Sequence, residues 1–398
     1  MIATQVFEPR SDAELAQFMR GTESENLAIA PVGSGTTLGL GNPTEREGAT
    51  LHTRQLRRVV EYNPEDQVVV VEAGITLGEL QAQLAQHGQR LAIDPLGGSA
   101  MTIGGMIATN AYGPSALRYG TLKDLIVGIE VVRADGASAR AGGKVVKNVA
   151  GFDVSKLMVG SLGTLAIVTK ATFRLHPLPE ASRTLAFSAQ PGGIYAFVMA
   201  MREAQLEPAA IVVRVRGAEA TVEVTFEGFG PGVDAQSERC TKIASEMGTC
   251  EVAPHVILSP SIPMSWAQAS LGINGVEGRA ATLKATFPPS EFTRVASQVE
   301  NAFVFPSLGV AFFARPSTPG SLRSPYAQDD TLENHLIRLR SQFESLGGTL
   351  VIQDMPSEWA GKIDAWGTPP TSFRLMQALK GRFDPRRRLN PGRFVGGL

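Results

Sequence analysis

Cysteine is nearly missing from this 398-residue chain, which has only Cys240 and Cys250. Two thiols cannot furnish a four-thiolate iron–sulfur site, and they read as the reduced thiols of a cytosolic protein. Histidine is almost as scarce. His52, His87, His176, His255 and His335 are so scattered that no two have local metal-ligand spacing. Charge of one sign is lacking too: the net charge is −1 at pH 7, so no broad field draws nucleic acid or an anionic membrane. No apolar run approaches the ~18 residues of a membrane-spanning helix. The opening MIATQVFEPRSDAEL has no basic-then-apolar pattern of a secretion signal. The balance, 43% hydrophobic and 19% charged, is that of a globular protein. Its length suggests two or three domains.

Glycine is what the chain has in quantity, and it clusters. Asp94 to Gly120 reads DPLGGSAMTIGGMIATNAYGPSALRYG. Glycine permits positive φ and close approach of a backbone to a ligand. Successive exposed amides then form a nest for anions. Gly104 and Gly105 with the hydroxyls of Thr102 and Thr109 read as a long backbone cradle suited to a pyrophosphate. Met101, Ile103, Met106 and Ile107 want burial, which argues against disorder. A structural corner is the other reading of this stretch.

A second glycine-rich turn, Pro31 to Gly39, follows a short strand at 27–30. It has GxGxxxG spacing, not GxGxxG, and no Gly-Lys-Ser/Thr follows it, so it is neither a dinucleotide fingerprint nor a Walker loop. Ser11 and Glu14, like Thr76 and Glu79, have the spacing of capping boxes. Leu77, Leu80 and Leu84 follow the second at helical intervals. Strands are expected at 67–72, 125–133 and 164–175, and a short helix at 153–159. Lys144 and Lys147 stand beside Asn148 and Gly151. Pro177-Leu-Pro179 marks a domain boundary. Beyond it, strands are expected at 183–188, 209–216, 220–227, 280–287, 309–314 and 349–353. Helices are expected at 192–205, 232–247, 290–302, 330–346 and 370–381. Strands joined without a helix favour an antiparallel α+β layer. Arg386, Arg387 and Arg388 read as a solvated face.

Three of these stretches, in this order, resemble the PCMH-type FAD-binding domain of the vanillyl-alcohol oxidase family. PVGSGTTLG at 31–39 is similar to its first pyrophosphate loop, and 94–120 to its second. GSLGTLAIVTKATFRL at 160–175 is similar to the strand at the adenine end. FDPRRRLNPGRF at 383–394 resembles the returning tail. GGKVVKNVAGFDVSKLMVGSLGTL at 142–165 is similar to a motif of the smaller flavoprotein subunit of bacterial glycolate oxidase. The resemblance implies an α+β fold. Its parts are a flavin domain of two α+β subdomains at 1–179, an antiparallel cap at 180–368 and a returning segment at 369–398.

It further implies FAD held by Pro31, Val32, Gly33, Ser34, Gly35, Thr36 and Leu38. From the second loop it implies Pro95, Ala100, Thr102, Ile103, Gly104, Gly105, Ile107, Ala108, Thr109, Asn110, Gly113, Arg118, Tyr119 and Gly120. Asn148, Gly151, Gly163, Ala166, Ile167, Asn390 and Arg393 complete the set. Neither loop contains histidine or cysteine, so FAD is expected to be non-covalent. The catalytic relatives carry HGHxGDGN, which this sequence lacks. The implied role is an electron-transferring FAD subunit of a glycolate oxidase complex. Its partners would be a catalytic flavoprotein and an iron–sulfur subunit, and the substrate of the complex a small 2-hydroxy acid. The expected location is cytoplasmic, reaching the inner membrane face through partners. The alternatives are a stand-alone D-2-hydroxy-acid dehydrogenase acting on glycolate or D-lactate, and a flavin-free scaffold. No catalytic residue is assigned.

Overall fold

The computed structural model describes residues 3–143, 153–216, 219–248, 251–258, 280–299, 301–316, 332–355 and 359–398. The chain divides into two compact units. One comprises Met1–Tyr112, Gly120–Leu178 and Thr368–Leu398, the other Gly113–Tyr119 and Pro179–Gly367.

Among the described residues the first unit has two larger sheets and a two-stranded antiparallel ribbon of Gln89–Arg90 with His176–Pro177. Ala3–Phe7, Gly48–His52 and Ala28–Val32 form a parallel three-stranded sheet in that order. Helix Asp12–Gly21 starts where Ser11 accepts from the Glu14 amide, and it buries Leu15, Ala16 and Met19. These pack with Ile29, Leu51 and Leu389. Each large side chain so buried contributes roughly 1.5–3 kcal/mol. The second sheet is antiparallel, in the order Val59–Asn63, Val68–Glu72, Ile167–Arg174, Ile126–Val132, Ser138–Gly142. Helix Leu77–Ala85 opens on the Thr76–Glu79 capping box and buries Leu77, Leu80 and Leu84.

Asp94–Gly120 is not the open cradle its glycines suggest. Ile103–Thr109 is a helix, with the Thr102 hydroxyl accepting from the Gly105 amide as its cap. Ile103, Met106 and Ile107 are fully buried. That burial offsets the helix cost of two glycines, about 1 kcal/mol each. Of the three arginines, Arg386 and Arg387 are exposed as expected, but the third is not. Arg388 is 1% exposed and donates to the carbonyls of Leu27, Met19 and Ala134 and to the Thr22 hydroxyl. The tail runs beside Ile29, whose amide donates to the Arg388 carbonyl and whose carbonyl accepts from the Asn390 amide.

Among its described residues the second unit carries one antiparallel sheet of eight strands. Their order is Glu251–Leu258, Ala181–Ala189, Glu219–Gly228, Ala210–Arg216, Ala302–Phe305, Val310–Pro316, Ala280–Thr286, Thr349–Asp354. Chain order shows a duplication. Helices Pro191–Glu203 and Gly230–Met247 punctuate the first four strands as βαββαβ. Phe292–Gln298 and Leu332–Ser345 punctuate the second four in the same way. Each half is a split βαβ motif, and the two are sewn together by pairing Val213 with Val304 and Val215 with Ala302. The expected helix at 290–302 ends at Gln298 because Ala302–Phe305, all buried, is a strand of this seam.

Candidate functional site

A cleft of about 80 Å³ in the first unit gathers much of the glycine-rich sequence. Its walls include Pro31 to Leu38, Thr102, Gly105, Ala108, Thr109, Leu162, Asn390 and Arg393. The turn after strand Ala28–Val32 supplies the polar surface. The amides of Ser34, Gly35 and Thr36 have no hydrogen-bond partner among the described residues. The Ser34 hydroxyl is likewise buried without a partner. Gly35 sits at φ +76°, and a Cβ at Gly33 would lie 2.0 Å from Thr102 Oγ1. Three open amides, an unsatisfied hydroxyl and a wall that admits no side chain make a nest for an anionic group.

The amides of Gly104 and Gly105 are differently employed. Gly104 donates to the Ala73 carbonyl at 2.7 Å, and Gly105 to Thr102 Oγ1 at 3.2 Å. The Thr109 hydroxyl donates back to the Gly105 carbonyl. The helix therefore contributes a small-residue wall, Gly105, Ala108 and Thr109, rather than open amides.

The tail closes the cleft. Asn390, in the left-handed region at φ 44°, donates through Nδ2 to the Leu162 carbonyl at 2.7 Å. Gly163 at φ +66° is needed there, because a Cβ would come within 3.3 Å of that nitrogen. Arg393 donates to the Leu38 and Leu40 carbonyls at 3.0 and 2.6 Å. Burial pulls its guanidinium below the usual arginine range, so a nearby anion gains from its charge.

Other residues of the implied set lie outside this cleft. Ile103, Ile107, Ala166 and Ile167 are buried in the core. Gly104 backs onto Ala73. Pro95 precedes the short turn Gly98–Ala100, and Ala100 ends it. Gly120, at φ +82°, packs against Asp124. Asn110 caps its helix in the left-handed region, its Oδ1 buried without a partner. Gly113, Arg118 and Tyr119 belong to the second unit. There Arg118 donates to the Glu227 carbonyl at 2.6 Å and Tyr119 to the Glu227 carboxylate at 2.9 Å. Asn148 and Gly151 fall outside the described residues.

Sequence reasoning missed the buried pair behind the cleft. Lys380 Nζ meets Asp384 at 2.7 Å and donates to the carbonyls of Thr164 and Leu389. Their i, i+4 spacing, from the last turn of helix Phe373–Phe383 to its C-cap, was the available signal.

Comparison with known proteins follows the same lines. Residues 3–142 match the FAD binding domain family. The chain carries a PCMH-type FAD-binding domain. It is 27% identical to a D-lactate dehydrogenase of Archaeoglobus fulgidus, over 99% of this chain and 91% of that protein. It is 26% identical to the glycolate oxidase subunit GlcD of Bacillus subtilis, over 98% and 88%. With the glycolate oxidase subunit GlcE of Escherichia coli it shares 32% identity over 52% of this chain and 61% of that subunit. Among solved structures, an alkyldihydroxyacetonephosphate synthase superposes with a TM-score of 0.71 at 18% identity, covering 97% of this chain and 75% of the other. The last shares the fold. Among the described residues no group of histidine, cysteine and carboxylates could hold a metal, and no helix is long and apolar enough to cross a membrane.

Proposed function

We propose that the chain is the FAD-binding subunit of a glycolate-oxidase-type complex and passes electrons from 2-hydroxy-acid oxidation toward an iron–sulfur partner. The observation that carries this reading is the cleft of open amides at Ser34, Gly35 and Thr36, closed by Arg393. Its chemistry fits the pyrophosphate of FAD. In this reading the nest and Arg393 bind the phosphates non-covalently, Gly105, Ala108 and Thr109 let the ligand approach, and Asn390 holds the 162–163 turn in place. Bound FAD would supply hydride acceptance and one-electron release. Residues 1–179 and 369–398 serve flavin binding, and 180–368 form the cap. The chain works in the cytoplasm, with a catalytic flavoprotein and an iron–sulfur protein as partners, reaching the inner membrane face through them.

The second reading is a stand-alone D-2-hydroxy-acid dehydrogenase. The near full-length similarity to a D-lactate dehydrogenase favours it. Against it, the sequence has no HGHxGDGN to supply a base. Arg214, a candidate carboxylate clamp, is paired with Glu223 at 2.8 Å. Anaerobic bleaching of the flavin by glycolate and D-lactate separates the two. The subunit reading expects slow bleaching of the isolated chain and fast bleaching in a reconstituted complex. Equal rates would replace it with the stand-alone enzyme.

A further inference from the structure

The second unit holds a larger cleft, about 790 Å³, to which the flavin reading gives no role. That volume lies in the range of small-molecule sites. Its floor is apolar: Met201, Leu206 and Ile211 are buried. One wall is a face of helix Pro191–Glu203. Tyr195, Val198, Met199 and Arg202 follow at i, i+3, i+4 and i+7, the spacing that puts side chains on one stripe. The core uses the adjacent stripe, Ile194, Phe197 and Met201.

Two guanidiniums line this apolar space, those of Arg118 and Arg202. Arg118 is held in place. Its Nη1 donates to the Glu227 carbonyl at 2.6 Å, and its guanidinium stands 5.8 Å from the Tyr119 ring centre. Tyr119 is itself fixed on the Glu227 carboxylate, which is 2% exposed. That one hydrogen bond leaves four of the five N–H donors of Arg118 without a partner among the described residues. Arg202 makes no ion pair among the described residues. Glu207 is the only acid among the lining residues. A pre-positioned guanidinium, a second one on the rim and an apolar floor match a carboxylate carried on an apolar body.

We propose that this cleft binds an amphipathic monocarboxylate, with its head on Arg118 and Arg202 and its apolar body over Met201, Leu206 and Ile211. Such a ligand uses both halves of the site. A neutral lipid leaves the guanidiniums idle, and a small polar acid leaves the floor wet.

The test is calorimetric titration of the purified full-length chain with hexanoate, octanoate and decanoate, below micelle formation, and with decan-1-ol. One-to-one saturable binding is expected, tightening roughly threefold or more per added methylene, with decan-1-ol at least tenfold weaker than decanoate. Arg202→Gln should weaken decanoate about tenfold. Val198→Asp should abolish binding, and Met199→Glu, at a half-buried position on the same stripe, provides a second block should that variant misfold. All three should keep the wild-type far-ultraviolet circular dichroism. Absence of saturable binding to the wild type would overturn the proposal. So would decanoate affinity unchanged in Arg202→Gln and in the Val198 and Met199 variants. Sedimentation showing a wild-type dimer that Val198→Asp dissociates would assign the cleft to a second copy of the chain, and overturn it too.

Discussion

Lys380→Met is the most demanding test of how the tail is held. Lys380 is 3% exposed and Asp384 fully buried. The three donors of the ammonium go to Asp384, the Thr164 carbonyl and the Leu389 carbonyl, at 2.7, 2.8 and 2.9 Å. Burial pulls the lysine below its ordinary range, while Asp384 opposes that pull. Methionine keeps the apolar stem but removes all three bonds and the counter-charge. Asp384 would retain only the Arg388 and Leu389 amides, at 2.9 and 2.7 Å. Breaking a buried pair from one side costs about 3–5 kcal/mol. Against a total of roughly 5–15 kcal/mol, that is a large fraction. Of the three tryptophans of the chain, Trp359 and Trp366 fall within the second unit, and Trp266 lies in sequence between its strands Glu251–Leu258 and Ala280–Thr286. Urea unfolding should therefore be followed twice, by tryptophan fluorescence and by far-ultraviolet circular dichroism. The expected result is an early transition visible in the dichroism and an almost unmoved one in fluorescence. Lys380→Met/Asp384→Asn, with no stranded charge, should recover at least half the loss. A single-variant loss under about 1 kcal/mol would refute the reasoning, because surface ion pairs have that magnitude.

Further outcomes are expected. Gly33→Ala places a Cβ 2.0 Å from Thr102 Oγ1, so flavin content after purification should fall to less than half that of the wild type while tryptophan fluorescence stays native. Acid precipitation should release the flavin into the supernatant, and colour kept in the pellet would show a covalent bond. Lys284, held down to about 8 by burial, sets a pH dependence. Below that value the folded chain bears the full cost of a buried charge. As pH rises from about 8 toward 10.5 the folded chain loses the proton first, so stability rises. Wild type should accordingly gain on Lys284→Met between about pH 7 and pH 9.5 in urea unfolding, and a constant difference would count against it.

What was legible in the sequence was local. The Thr76–Glu79 box, the Leu77–Leu80–Leu84 stripe and the glycine turn at 33–35 each carry their cause within a few residues. What was not legible depended on distant partners. Arg388 looks solvated at the end of a run of three arginines, yet its acceptors, Met19, Leu27 and Ala134, come from far earlier in the chain. Gly104 and Gly105 look like open amides until Ala73 and the Thr102 cap claim them. The βαββαβ duplication is invisible in residue identities because each half needs only an alternating pattern, and its seam hides at Ala302–Phe305, where an apolar run reads equally as the end of a helix.

The cleft itself follows from this division. The turn at 31–38 leaves the amides of Ser34, Gly35 and Thr36 without partners among the described residues, so its shape is imposed from outside. Arg393 does so by gripping the Leu38 and Leu40 carbonyls. Asn390 grips the turn at Leu162, and Lys380 and Asp384 hold the tail that carries both. The residues that would touch an anion are thus braced by groups outside their own turn. They are positioned by a segment some 350 residues later in the chain. A pre-formed nest lowers the ordering cost of binding. Loosening the tail should therefore weaken flavin retention before it unfolds the sheets. In Lys380→Met, flavin should be lost at urea concentrations where the dichroism is still native. Loss of both in a single step would mean that the tail serves stability alone.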